Sequence, residues 1–343
     1  MGFGYSKALW IREASSYGNA TDMSTGSQYV IPVRANSTLE KTIARITTEH
    51  IRGVASVQDS EDQLGIVSVG GAFGGVVPWT ALQGTGFNAW GIILKHTLGE
   101  VTTSGPVSTK YTHTFTWNDL LFVGLSIADN KAGATYAYHG IQIESLNLTG
   151  TIGGPLEFTC NVLGASEVVA ATITAPALTL LSAHPYVLCQ KITFELDDTA
   201  QAMTGFDITF ANELEAAEDR SYALGSDARA LLVKSGHSCT GTLRRRHDAD
   251  GTNISLFYTK FLSGATAKIE IILTHPTDTD YTAKINLGHV KFTGKTPNAA
   301  DKGYIPEEIP FTAFNLDNAA SFIEWTDEDD LTTAAGAYTG AGA

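Results

Sequence analysis

Between positions 136 and 165 the apolar residues Leu146, Leu148, Ile152, Leu156, Phe158, Cys160 and Val162 fall on even positions, with polar or small residues mostly between them. Alternation with a period of two marks a half-buried strand. Gly150, Gly153 and Gly154 interrupt it, which predicts an antiparallel strand pair. The pattern returns near the C-terminus. Leu146-Asn147-Leu148-Thr149-Gly150 is echoed by Val290-Lys291-Phe292-Thr293-Gly294, and Leu156-Glu157-Phe158-Thr159-Cys160 by Ile309-Pro310-Phe311-Thr312-Ala313. A hairpin written twice implies two versions of one β unit.

The same reading predicts strands over 38–58, interrupted near Gly53, and over 64–77, 111–117, 121–128, 187–196, 206–210, 238–246, 267–274, 282–292 and 309–314. Pro78-Trp79 opens an expected helix through Leu98. Trp79, Leu82, Trp90, Ile93, Leu94 and Leu98 form its apolar face, and Gly84, Gly86 and Gly91 weaken it. A second helical spacing runs through Ile254, Phe257, Tyr258 and Phe261. The expected organisation is an N-terminal arm or loop over 1–36, where periodicity is low, a β domain over 37–175, a second over 176–325, and a flexible tail over 326–343, acidic and then Ala/Gly-rich. Pro176 and Pro185 mark the seam between the halves. The fold class is therefore mainly β, with two related sandwich or barrel domains, each flanked by an α-helix.

Composition narrows the functions open to such a chain. Its 343 residues, 34 of them glycine, accommodate two cores with frequent turns. A net charge of −14 argues against gripping nucleic acid through its phosphates, which needs clustered Lys and Arg. Cys160, Cys189 and Cys239 are odd in number and widely spaced, so buried thiols are expected rather than a disulfide framework or zinc site. The N-terminus lacks a signal-peptide core, and the longest apolar stretch, 65–82, carries many Gly residues and Pro78, so no membrane association is expected.

Motifs for chemistry are weak. Gly84-Thr85-Gly86-Phe87-Asn88-Ala89 fits a G-x-G-x-x-A pattern, but no βαβ alternation surrounds it. From Asp248, the stretch Asp248-Ala249-Asp250-Gly251 misses the glycine and glutamate spacing of a calcium loop, and a β-turn accounts for it. His113, His139, His184, His237 and His289 are scattered singly. No catalytic residue, cofactor site or metal-ligand set is expected, and the chain does not read as an enzyme. Arg244-Arg245-Arg246 is the only basic run. Strand alternation puts Arg244 and Arg246 on one face and Arg245 on the other, and in an acidic protein the expected partners of Arg244 and Arg246 are carboxylates of a neighbouring subunit.

Several stretches keep a shared order and spacing: 8–18 near the N-terminus, a Gly-initiated strand pair before a helix within 53–99, 140–148 with the pairing strand 156–162, then 206–214 and Gly241-Thr242-Leu243. Over most of the chain this order resembles the tail tube proteins (major tail proteins) of long-tailed bacteriophages. The arginine run and acidic tail depart from that pattern. The resemblance implies tail-tube-type β domains whose strands join across subunits around a channel, in rings stacked into a tube that conducts double-stranded DNA from capsid to cell. If both halves are tube domains, three chains form a pseudo-sixfold ring; if only one is, six chains are needed. It also implies a place in the virion tail after synthesis in the host cytoplasm, with tape measure, tail terminator and tail tip proteins as partners. An acidic wall lets a polyanion slide past, and the turn Asp59-Ser60-Glu61-Asp62 makes Asp59, Glu61 and Asp62 the expected channel-facing residues. A virion surface or adhesin-like β-sandwich that binds a host ligand is the alternative.

Overall fold

The computed structural model describes residues 7–14, 16–18, 23, 29–34, 37–47, 62–79, 87–107, 110–118, 124–131, 134–169, 173, 185–216, 221–224, 226, 229–230, 232–246, 252–294 and 306–327. Its first part runs β1 (Lys7–Glu13), β2 (Tyr29–Val33), β3 (Glu40–Thr47), β4 (Asp62–Val76), β5 (Phe87–Asn88), α1 (Trp90–Leu98), β6 (Gly99–Val107), β7 (Lys110–Trp117), β8 (Leu125–Lys131), β9 (Ala134–Thr151), β10 (Glu157–Gly164) and β11 (Ser166–Val169). The second runs β12 (Ile192–Leu196), β13 (Thr199–Gln201), β14 (Gly205–Leu214), β15 (Lys234–Arg246), α2 (Thr252–Ser263), β16 (Ala267–Thr274), β17 (Thr282–Phe292), β18 (Pro306–Ala313) and β19 (Phe322–Asp327). The protein is mainly β, as expected. Among the described residues every strand pairing but β2–β5 is antiparallel, and neither helix is long and apolar enough to cross a membrane.

The hairpin and its echo share more than sequence. Leu146, Asn147 and Leu148 stand opposite Cys160, Thr159 and Phe158. Val290, Lys291 and Phe292 stand opposite Ala313, Thr312 and Phe311, in the same register. The next strand repeats it: Cys160 and Phe158 face Phe73 and Gly75 on β4, and Ala313 and Phe311 face Cys239 and Gly241 on β15. Both glycines leave room for a phenylalanine ring. A Cβ at Gly75 would meet Phe158 Cε1 at 3.3 Å, and one at Gly241 would meet Phe311 Cζ at 2.6 Å. Register is strongly specified wherever one face of a strand is buried, because a one-residue slip would turn the whole apolar set outward.

The halves do not close on separate cores. One continuous buried cluster takes Leu9, Phe73, Trp90 and Leu148 from the first half and Phe210, Leu273, Ile309 and Trp325 from the second. Among the described residues two strand pairings also cross the expected boundary, β9 with β14 and β19 with β7. The alternating pattern marked which face of each strand is apolar but not which strand it meets.

Other differences concern single elements. The expected N-terminal arm contains two core strands, with Leu9, Ile11, Val30 and Ile31 buried. Short strands fixed by long-range partners, β1 lying between β2 and β8, carry little periodicity of their own. The first helix begins at Trp90 rather than Trp79 and ends on Gly99 at φ 118°, whose N–H reaches Lys95 O. Trp79 instead donates its backbone N–H to Pro185 O. Directly after this helix Gly99–Val107 forms β6, paired with β7. Residues 80–86 and 328–343 lie outside the described residues.

Helix α1 is buried nearly all round, and its polar contacts are concentrated on β1. Glu13 accepts from Lys95 Nζ at 2.7 Å and lies 2.9 Å from His96 Nε2. Burial pushes the Glu13 carboxyl up, but the hydrogen bonds and charge of His96 and Lys95 outweigh it and hold the group at about 2. His96 is lowered by its own burial, against the hydrogen bond and charge of Glu13, which act to raise it. A carboxyl depressed on folding contributes stability above its unfolded value of about 4.3 and loses it as pH falls through the folded value. His96 acts in the same direction, because the unfolded ring takes up its proton first as pH falls through about 6.5. Acid denaturation followed by circular dichroism is therefore expected to steepen between about pH 4 and pH 2, and Glu13→Gln to flatten that limb.

Candidate assembly surfaces

Eight strands follow one another by pairing in the order β3–β4–β10–β9–β14–β15–β18–β17. Their alternation separates two faces. Leu146 and Leu148 on β9, Ile208 and Phe210 on β14, and Leu243 on β15 point into the core. The other face carries Thr149, Asn147, Thr159, Asp207, Thr209, Thr240, Thr242 and Thr312, none of them buried. Antiparallel sheets commonly pack one face and leave the other to solvent.

The joint between the halves lies in the middle of this sheet. Leu146, Leu148 and Gly150 on β9 face Phe210, Ile208 and Phe206 on β14. On the polar face Asp207 accepts from Asn147 Nδ2 and from Thr149 Oγ1, both at 2.9 Å. Asn147 Nδ2 also donates to Thr209 Oγ1 at 2.9 Å, and Asn212 Nδ2 donates to Ile143 O at 3.0 Å. The part-buried carboxylate of Asp207 thus orders a network of hydroxyls and amides across the seam. The sequence marked both strands, but nothing local indicated that they pair.

The arginine run splits as alternation requires. Arg245 is buried, with its Nε 2.6 Å from Glu307 Oε2 and its guanidinium 4.9 Å from the centre of the Phe257 ring. Arg244 is part-exposed, its Nε 3.5 Å from Glu308 Oε1 of the same chain, and Arg246 is exposed opposite Pro306. Asp62 opens β4 opposite Thr47, while Asp59 and Glu61 lie outside the described residues.

Polar clusters elsewhere are internally matched. Glu195, Asp198 and Glu270 lie close enough together to suit a cation among the described residues. Lys268 reaches Asp198 at 2.8 Å and Glu270 at 3.1 Å, and Lys284 also pairs with Glu270, so ammonium groups already supply the positive charge. His113 and His139 hydrogen-bond Thr103 and Ser126, and His237 meets Asp317 at 2.7 Å. Cys160 and Cys239 are fully buried, which pushes both thiols up from their ordinary value.

Sequence reading missed the exposed apolar residues. Ile43 and Ile46 on β3, Leu64 on β4 and Ile152 at the hairpin tip all reach solvent. The signal available was Ile43-Ala44-Arg45-Ile46, whose apolar spacing breaks the period of two where the β3–β4 register shifts.

Comparison with protein-family models matches residues 4–313 to a family described as phage tail tube protein. No curated protein matches the chain.

Proposed function

The chain belongs to the phage tail tube protein family, which makes it a structural protein of the virion tail and not an enzyme, and from that premise we propose that its copies assemble into stacked rings forming the DNA-conducting tube. The observation that carries this reading is the family match over nearly the whole chain. The two related hairpin units, over 37–175 and 176–325, act as two tail-tube-type domains, so that three chains make a pseudo-sixfold ring. Their shared strand register supports this arrangement, and a ring of six chains is the alternative.

The polar face of the eight-strand sheet is the proposed channel wall. Over β9 and β14 its hydroxyls and amides, with Asp207 among them, offer a sliding polyanion few cations, while Arg244, Arg246 and Lys291 share the face on β15 and β17. Asp59, Glu61 and Asp62 extend that acidic lining, and Arg244 and Arg246 meet carboxylates of the neighbouring subunit. Tape measure, tail terminator and tail tip proteins are the further partners, and no cofactor is involved. Electron microscopy of the purified protein is expected to show hollow tubes or stacked rings, with mass measurement of one ring giving three subunits. Dispersed monomers at high concentration would overturn the reading.

A further inference from the structure

Two side chains far apart in sequence bury hydrogen-bond donors without acceptors. Among the described residues, Arg229 Nε and Nη1 and the Tyr17 hydroxyl are enclosed and meet no hydrogen-bond partner. Both side chains are held in place by their surroundings. Ala230 N–H donates to Ser221 O at 2.7 Å, which joins the two ends of the 221–230 segment beside Tyr222 and Arg229. Tyr222 donates its hydroxyl to Val67 O on β4 at 2.8 Å, and the Arg229 guanidinium lies 5.4 Å from the centre of the Tyr222 ring.

Tyr17, in the turn after β1, rests against β9 at Gly140, whose φ is 66°. A Cβ there would lie 3.1 Å from the ring carbon that carries the Tyr17 hydroxyl, so only a glycine lets the phenol end approach. Val69 stands opposite Gly164, and Ala165 N–H donates to His139 O at 3.0 Å, so Val67 and Gly140 lie in one neighbourhood of the fold. Burial pushes the Tyr17 phenol up to about 12, although the nearby charge of Arg229 acts to lower it. At neutral pH the hydroxyl keeps its proton and is a donor.

A guanidinium has N–H donors and no acceptor, and it stays charged at any ordinary pH. Taking such donors out of water without an acceptor costs more than a matched hydrogen bond returns. An oxyanion supplies both the acceptors and the opposite charge, in hydrogen bonds of the stronger, charge-assisted kind. We propose that Arg229 and Tyr17 form a binding site for a small oxyanion, represented by phosphate, with the Tyr222 ring as one wall. An anion held by both groups ties the turn after β1 to the 221–230 segment, and so one half of the chain to the other.

The test is thermal unfolding of the full chain at neutral pH, with phosphate replacing chloride at constant ionic strength. A ligand of the folded state raises Tm with its concentration, but phosphate also stabilises proteins generally by exclusion from their surface. The variants separate the two effects. Arg229→Met is expected to weaken the phosphate response by about tenfold or more in affinity, the loss of hydrogen bonds to a charged group. Tyr17→Phe, which keeps the ring over Gly140, is expected to give a smaller loss, and Arg246→Met, at an exposed site, none. If Arg229→Met does not fold, Arg229→Lys, which keeps the charge but not the planar donor array, carries the same comparison. Equal responses in the wild type and the Arg229 variant would mark exclusion alone and overturn the proposal, and an unchanged Tyr17→Phe would overturn the two-group site. An Arg229-dependent response to acetate in place of phosphate would support the oxyanion site and identify a carboxylate as its natural occupant. An Arg229-dependent response to a short DNA duplex, with none to either small anion, would overturn it in favour of a nucleic-acid contact.

Discussion

Trp325→Ala is expected to destabilise the protein by about 3–5 kcal/mol, the usual cost of emptying a large aromatic site in a core. Trp325 is buried on β19, opposite Ala283 of β17 on one side and His113 of β7 on the other. Its ring centre lies 5.0 Å from Trp79 and 5.8 Å from Trp90, and Trp90 in turn lies 5.3 Å from Phe158. This one side chain thus joins α1 and the hairpin of the first half to the strands of the second. Because both halves draw on the cluster, thermal unfolding is expected to remain a single transition, moved to lower temperature. Calorimetry checks this. Two separated transitions, with only one displaced by the substitution, would show that the halves are energetically independent despite their shared packing.

Removing Arg245 alone should be comparably costly. The Arg245–Glu307 pair is almost completely excluded from solvent, with side-chain exposures of 5% and 9%. Breaking a buried ion pair at one end costs about 3–5 kcal/mol, because the remaining charge keeps its desolvation penalty without its partner. Arg245→Met is therefore expected to lower the urea midpoint strongly, while Arg245→Met with Glu307→Leu recovers most of the loss. The recovery is the informative part: an apolar pair of similar volume is often as stable as the ion pair it replaces. If the double variant is no better than the single one, the guanidinium's contact with Phe257 matters more than its charge. Arg244→Met, at a part-exposed site, should change the midpoint little, since exposed pairs contribute about 0–1 kcal/mol.

These expectations depend on a distinction between faces and partners. The period-two runs of β9, β10, β17 and β18 were legible, and so was the placing of Arg245 on the opposite face from Arg244 and Arg246, though not that its face turns inward. The equivalence of the two hairpins could be read residue by residue, since Leu146 and Val290, or Cys160 and Ala313, occupy matching places in both pairings. Strands β1 and β2 were not legible, because their burial comes from partners far along the chain. Nor was the exposure of Ile43 and Ile46, which read as ordinary strand residues. Burial is not a property of a side chain alone.

The sequence by itself determined the β character, the repeated hairpin, the core-seeking side of the strands with clear alternation and, through order and spacing, the resemblance to tail tube proteins. Alternation is local: adjacent side chains on an extended chain must point opposite ways, so each residue's face follows from its neighbours. Only the tertiary structure decided that β9 pairs with β14 and that Trp325 sits among aromatics from both halves. Those facts depend on which strands meet across long sequence separations, where loop closure and mutual burial choose between pairings that the local pattern leaves equivalent.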